Sequence, residues 1–307
     1  MVVKTRKKHH VKKNNTTTKT RRKLSACAPG NNEPSFSCYS KDALIKVIEH
    51  WNNNNNTNNR IYFNNRETKE VLWNKIDDKL QHQCEAEFCW SQLQSYPKQL
   101  RTELESYFKP VMPKKWLSHH KEWLNTLDLE NVLTQYERKH KDFKSFGAVP
   151  IDFDYKHNDG ECVIDELCNL NISDLMNKGK TKMSVIFNLD KHNQPGSHWI
   201  AMYADFNTGD INYFDSYGYD APKEVCTLMK RIKKQLVDLN SRANIRVSKL
   251  RHQYKDSECG MYCLYFIISQ LEGKTFSDLT KKQIPDDKME SNRDIYFVKY
   301  SNSKYLD

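Results

Sequence analysis

Apolar and polar positions divide the chain into a first half with helical periodicity and a second half of short apolar runs. In residues 39–51, Leu44, Ile45, Val47 and Ile48 fall at near-helical spacing behind Ser40, whose hydroxyl suits an N-cap. A second helical pattern occupies 67–94, with Val71, Leu72, Ile76 and Leu80 on a stripe and Phe88, Trp90 and Leu93 adding apolar surface. Between them, positions 52–59 hold seven Asn and one Thr. Asn bonds nearby backbone and favours turns, so this run predicts a surface loop. Pro110 and Pro113 mark a boundary. Residues 116–139 then turn helical in their later part, with Leu127, Leu129, Val132, Leu133 and Tyr136 on one stripe and Thr126 or Asp128 as cap.

The second half changes period. MSVIFNL (183–189) reads as a buried strand. HWIAMYADF (198–206) and INYFD (211–215), joined by NTGD, read as a β-hairpin. Residues 222–239 carry a helical stripe of Val225, Leu228, Met229, Ile232, Leu236 and Leu239, and 244–250 has strand composition. Residues 259–271 are almost wholly apolar, which predicts a buried helix too short to span a membrane. The order strand, strand, strand, helix, strand, helix predicts an α+β fold. The organisation expected is a basic disordered tail at 1–37, a small helical lobe at 38–105 and a catalytic domain at 106–307.

Charge sharpens this division. The net charge is +10 over 307 residues, yet residues 1–24 contain ten Lys or Arg and no acid. The remainder is formally neutral, with 39 basic and 39 acidic residues. The tail could hold nucleic acid or another polyanion by counterion release, or serve as a nuclear address through KTRKK and KTRRK. The start MVVKTRKKHH lacks the apolar core of a secretion signal, and no membrane partner is expected. Nine cysteines in a chain too long to need staples read as reduced thiols in an intracellular setting. The pairs Cys84/Cys89, Cys162/Cys168 and Cys259/Cys263 lack CxxC spacing, so no metal and no cofactor are assigned.

Cys259 opens the buried helix. A thiol there faces unpaired backbone N–H groups and the positive end of the helix dipole, which favour the anionic nucleophile. Gly260 removes side-chain bulk beside the sulfur. A nucleophilic Cys needs a base, and the base an orienter. His198 begins one strand of the hairpin and Asp215 ends the other, so the turn between them brings the two to one end of the pair. Gln253, six residues before Cys259, can present its amide to an oxyanion together with the Cys259 N–H. His252 beside it lacks an obvious orienter.

With HW at 198, D in YFDSYG, Gln six before Cys and CG opening the helix, the chain resembles the Ulp1/adenain group of cysteine peptidases, including members from large DNA viruses. The segment EWLNTLDLENVL (122–133) is similar to an early helix of that group. The resemblance implies a mixed β-sheet around a central buried helix carrying the nucleophile, and a His-Asp-Cys triad of His198, Asp215 and Cys259 with Gln253. It also implies that Trp123 and Trp199 sandwich a narrow Gly-Gly-bearing substrate tail. The expected activity is endopeptidase cleavage after small, Gly-containing sequences, with viral structural precursors as substrates. The alternative is cleavage of isopeptide bonds in ubiquitin or SUMO conjugates. A cysteine acyltransferase and a non-enzymatic nucleic-acid-binding packaging protein are further alternatives. The expected location is host cytoplasm or viral factory, with packaging into the virion.

Overall fold

The computed structural model describes residues 26–30, 36–84, 86–93, 95–118 and 121–299. Of the tail read at 1–37, residues 1–25 and 31–35 lie outside them, whereas 26–30 and 36–37 are placed, with Ala26 and Ser37 buried. The chain forms two compact units, one reaching Phe108 and a second beginning at Lys109.

In the first unit, α1 (Lys41–Asn53) starts where the pattern places it, with the Ser40 hydroxyl accepting from the Ala43 N–H at 3.1 Å. Helices α2 (Lys69–Leu80) and α3 (Lys98–Glu105) follow. The Asn run is not wholly loop. Asn52 and Asn53 finish α1, and the Asn52 amide bonds both the N–H and the C=O of Ile61, at 2.7 and 2.9 Å, closing the connection. Residues 87–92 form a 3₁₀ turn rather than continuing the helical pattern. The Glu87 carboxylate is buried there and accepts from the Ser37 hydroxyl, the Cys38 N–H and the Trp73 indole, so its burial is compensated.

The expectation of nine reduced thiols is corrected. Cys27–Cys38, Cys84–Cys89 and Cys162–Cys168 are disulfides, leaving Cys226, Cys259 and Cys263 free. The partners are local, 11, 5 and 6 residues apart, with Cα atoms 5.1, 5.4 and 6.3 Å from each other. Such proximity depends on turn geometry, which cysteine spacing alone does not disclose.

The second unit begins with α4 (Lys114–Ser118) and α5 (Thr126–Lys139). The cap of α5 is Asn125, not Thr126 or Asp128; Asp128 instead returns a bond to the Asn125 N–H, completing a capping box. Then come β1 (Phe143–Pro150), the short helices α6 (Asp165–Cys168) and α7 (Ile172–Asn177), β2 (Lys182–Asn188), β3 (Trp199–Asp205) and β4 (Asp210–Phe214). Helix α8 (Lys223–Asp238), β5 (Asn244–Val247), α9 (Cys259–Leu271), α10 (Phe276–Thr280) and α11 (Asp286–Tyr296) complete it.

The five strands lie in sequence order. β1–β2 and β4–β5 are parallel, and the two central pairings are antiparallel. One face packs Ile186, Trp199, Ala201 and Phe214 against α9 and α5. The other packs Val185, Met202 and Ile211 against Val225, Leu228 and Ile232 of α8. Burial on both faces explains why β2 and β3 read as apolar runs rather than alternating patterns. Within the β3–β4 turn, Gly209 has φ 76°, and a Cβ there would lie 1.9 Å from the Arg242 carbonyl oxygen. The hairpin therefore requires glycine at that position. Helix α9 is the axis of the core, with every residue buried except Tyr265.

Candidate active site

The β3–β4 register runs from Asp205↔Asp210 to Ala201↔Phe214. Continued beyond the strands, it sets Asp215 opposite Ile200 and Tyr217 opposite His198. The rings of His198 and Tyr217 accordingly stack, with centroids 4.8 Å apart. His198 Nε2 lies 2.9 Å from Asp215 Oδ1, and the same oxygen accepts the Tyr217 N–H at 2.8 Å. With Nε2 committed to the carboxylate, Nδ1 is the nitrogen left for Cys259, which acts on the ring electrostatically. All three residues are buried. The structure thus brings together the three residues that the hairpin argument and the helix-start argument had selected separately.

Burial pushes the His198 imidazole down, but hydrogen bonds to Asp215 and Cys259 and the charges of those groups outweigh it and place its pKa at about 9. In NMR titration the His198 ring is expected to titrate near 9 in the wild type and lower in Cys259→Ala, where one bond and one charge are gone. A wild-type value at or below the ordinary 6.5 would contradict this arrangement. The folded value exceeds the unfolded one. The stability it contributes is therefore fully present below about pH 6.5 and is lost as pH rises through about 9.

Cys259 is the first residue of α9, and its N-cap residue, Glu258, makes no side-chain cap. The reason is visible. The buried Glu258 carboxylate is held by Arg293 of α11, through Nε at 3.2 Å and Nη2 at 3.0 Å, and by the Ser257 hydroxyl at 3.1 Å. A carboxylate that could have capped the helix is turned away, leaving the first-turn N–H groups uncapped at the sulfur. Arg293 Nη2 also donates to the Glu122 carbonyl at 2.8 Å, so one guanidinium ties the Cys259 junction to the segment before Trp123.

Gln253 is fully buried and its amide is clamped. Oε1 accepts from the Ser216 hydroxyl at 2.6 Å, and Nε2 donates to the Lys255 carbonyl at 2.6 Å. The Ser216 carbonyl accepts from both His252 and Gln253 N–H groups. Ser216 therefore joins the Asp215 strand end to the Gln253 loop. His252 does not compete as a base. Its Nδ1 accepts from the Ile284 N–H at 3.1 Å, and burial pushes its pKa down to about 4.

The two tryptophans differ. Trp123 is 43% exposed, whereas Trp199 is 7% exposed and donates its indole N–H to the Leu124 carbonyl at 2.9 Å. The role of Gly260 also differs from relief of bulk at the sulfur alone. A Cβ there would lie 3.0 Å from Leu124 Cβ and 3.5 Å from Trp199 Cδ1, so glycine lets α9 approach that pair.

Ser216, Tyr217, Glu258 and Arg293 were not found from the sequence. The first two adjoin Asp215 in YFDSYG and Glu258 adjoins Cys259, so adjacency was the available signal. Arg293, 35 residues from Glu258, carries no local one.

A family model described as the Ulp1 protease family, C-terminal catalytic domain, matches residues 135–302, which span α9, the hairpin and the Gln253 loop. The chain belongs to that family. It is therefore a cysteine protease by class. A protein of Acanthamoeba polyphaga mimivirus that bears a provisional thiol-protease name is 27% identical over 293 residues, covering 89% of this chain and 93% of its own. A cysteine protease of African swine fever virus is 27% identical over 201 residues, covering 62% of this chain and 71% of its own. The crystal structure of an African swine fever virus protease superposes with a TM-score of 0.63 at 20% identity. That match covers 90% of this chain and 96% of the other, and establishes the fold.

Proposed function

We propose that the chain is an endopeptidase that cleaves after small, Gly-containing sequences and processes viral structural precursors, with Cys259 as nucleophile. The observation that carries this reading is His198, held by Asp215 at 2.9 Å and acted on electrostatically by Cys259. In the first step Cys259 sulfur attacks the scissile carbonyl carbon, and the imidazolium of His198 protonates the leaving amine as the C–N bond breaks. The Cys259 N–H and the second hydrogen of Gln253 Nε2 hold the oxyanion. Water then attacks the thioester, giving up a proton to His198, and the acid product leaves with the thiol restored. Asp215 holds the imidazole by Nε2 throughout. The exposed Trp123 would contact the substrate tail, and the buried Trp199 would position it through Leu124.

The second reading is removal of ubiquitin-like proteins. It is favoured by the name SUMO-1 cysteine protease carried by an African swine fever virus relative 27% identical over 201 residues. The viral relatives support action within an infected cell, and the 1–24 tail supports contact with a polyanion. No helix among the described residues is long and apolar enough to cross a membrane.

Ubiquitin, SUMO and Gly-Gly peptide probes ending in an electrophile separate the readings. Under the endopeptidase reading, the peptide probe labels Cys259 at least as fast as the two proteins do. Labelling by ubiquitin or SUMO alone would replace that reading with deconjugation. Labelling mapped to any other cysteine would overturn Cys259 as nucleophile.

A further inference from the structure

Beside the catalytic histidine stands a cation held between two aromatic rings. The Arg251 guanidinium carbon lies 5.3 Å from the Tyr217 ring centroid and 4.6 Å from that of Tyr254. Tyr217 in turn stacks on His198, and Tyr219 extends the row 5.9 Å beyond Tyr217. Arg251 Nε donates to the Gln253 carbonyl at 2.9 Å, which fixes the plane of the guanidinium. Arg251 and Tyr254 are exposed, with Tyr254 at 61%. No carboxylate among the described residues lies within ion-pair distance of Arg251, although the neighbouring cations Lys249 and Lys255 are each paired, with Asp220 and with Asp287. Asp256 acts on Tyr217 electrostatically but makes no ion pair with Arg251.

We propose that Arg251 forms a subsite for an acidic side chain of the substrate, on the leaving-group side of the scissile bond. This rests on the assignment of Cys259 and His198 above. Three properties point to a carboxylate. The Nη1 and Nη2 edges are unused, and an arginine fork matches a carboxylate in two parallel bonds. Stacking on two rings and the Nε bond remove most of the freedom that an exposed arginine would lose on binding. The body of the chain outside the tail is formally neutral, so attraction for an acid must be local rather than a general field. The side follows from the chemistry. His198 delivers its proton to the departing amine, so residues after the scissile bond pass the His198 edge, and the Tyr217–Arg251 stack continues from that edge.

The test uses the full chain and paired fluorogenic Gly-Gly peptides carrying Glu, Gln or Lys at each of the first four positions after the cleavage point. The quantity read is the ratio of kcat/KM for Glu over Gln within one variant, so a general loss of activity cancels. Wild type is expected to favour Glu at one of these positions by roughly fivefold, less at high salt. Arg251→Lys should keep part of the preference, Arg251→Gln should bring the ratio to about one, and Arg251→Glu should turn the preference to Lys. A ratio unchanged in Arg251→Gln and Arg251→Glu overturns the subsite. So does a wild type that is labelled at Cys259 yet indifferent to charge, or selective only before the scissile bond. A wild type that neither cleaves these peptides nor is labelled at Cys259 overturns the protease reading itself, and the subsite with it.

Discussion

Cys259→Ala is expected to lower kcat toward a Gly-Gly peptide by about 10⁶, because removing a nucleophile that works with its base costs nearly as much as removing the whole set. The fold should survive. The lost sulfur is buried, and its removal leaves a small gap worth on the order of 1 kcal/mol. Rate and labelling by an electrophilic probe are measured together. Activity or labelling retained in the alanine variant would move the nucleophile to another thiol. Cys263 is a poor substitute, since complete burial pushes its thiol well above the ordinary range. Cys226 is partly exposed, but its thiol donates to the Ala221 carbonyl.

Asp215→Asn is expected to reduce kcat by about 10⁴ with little change in KM or in melting temperature. Asp215 Oδ1 accepts from His198 Nε2 and from the Tyr217 N–H. An asparagine oxygen in the same place can still accept from both donors, but it carries no negative charge. The imidazolium loses its counter-charge and becomes harder to form, which weakens the proton delivery to the leaving amine. Full activity in this variant would remove Asp215 from the catalytic set, and a collapse in melting temperature would make its role structural.

The legibility of these groups in the sequence follows from how each is placed. The hairpin was readable because two apolar runs flank a Gly-bearing turn, and a hairpin converts the 17-residue gap between His198 and Asp215 into adjacency. Helix α9 was readable because a core helix is apolar all round. β1 was not, since FKSFGAVP mixes polar and apolar positions and becomes a strand through its parallel pairing with β2. The disulfides depend on turns that composition does not specify. At the site, the groups proposed to bear chemistry are legible because their residue types are few and their spacing is constrained. Those that hold them in place are less so. Ser216 is one hydroxyl among many, and Arg293 reaches Glu258 from a helix whose docking no local pattern announces.

On the reading proposed, the position of Cys259 at the head of α9 joins reactivity to cooperativity. The sulfur sits on the least separable part of the second unit, a helix enclosed by the sheet on one side and by α5 and α11 on others. Local opening that would free a loop-borne nucleophile has no counterpart here, because fraying the first turn of α9 also breaks the Glu258–Arg293 pair and uncovers the core. The thiol therefore keeps its alignment for as long as the unit stays folded. Under that reading, variation in substrate choice falls to the rim, where the exposed Trp123, Tyr254 and Arg251 can change without disturbing α9.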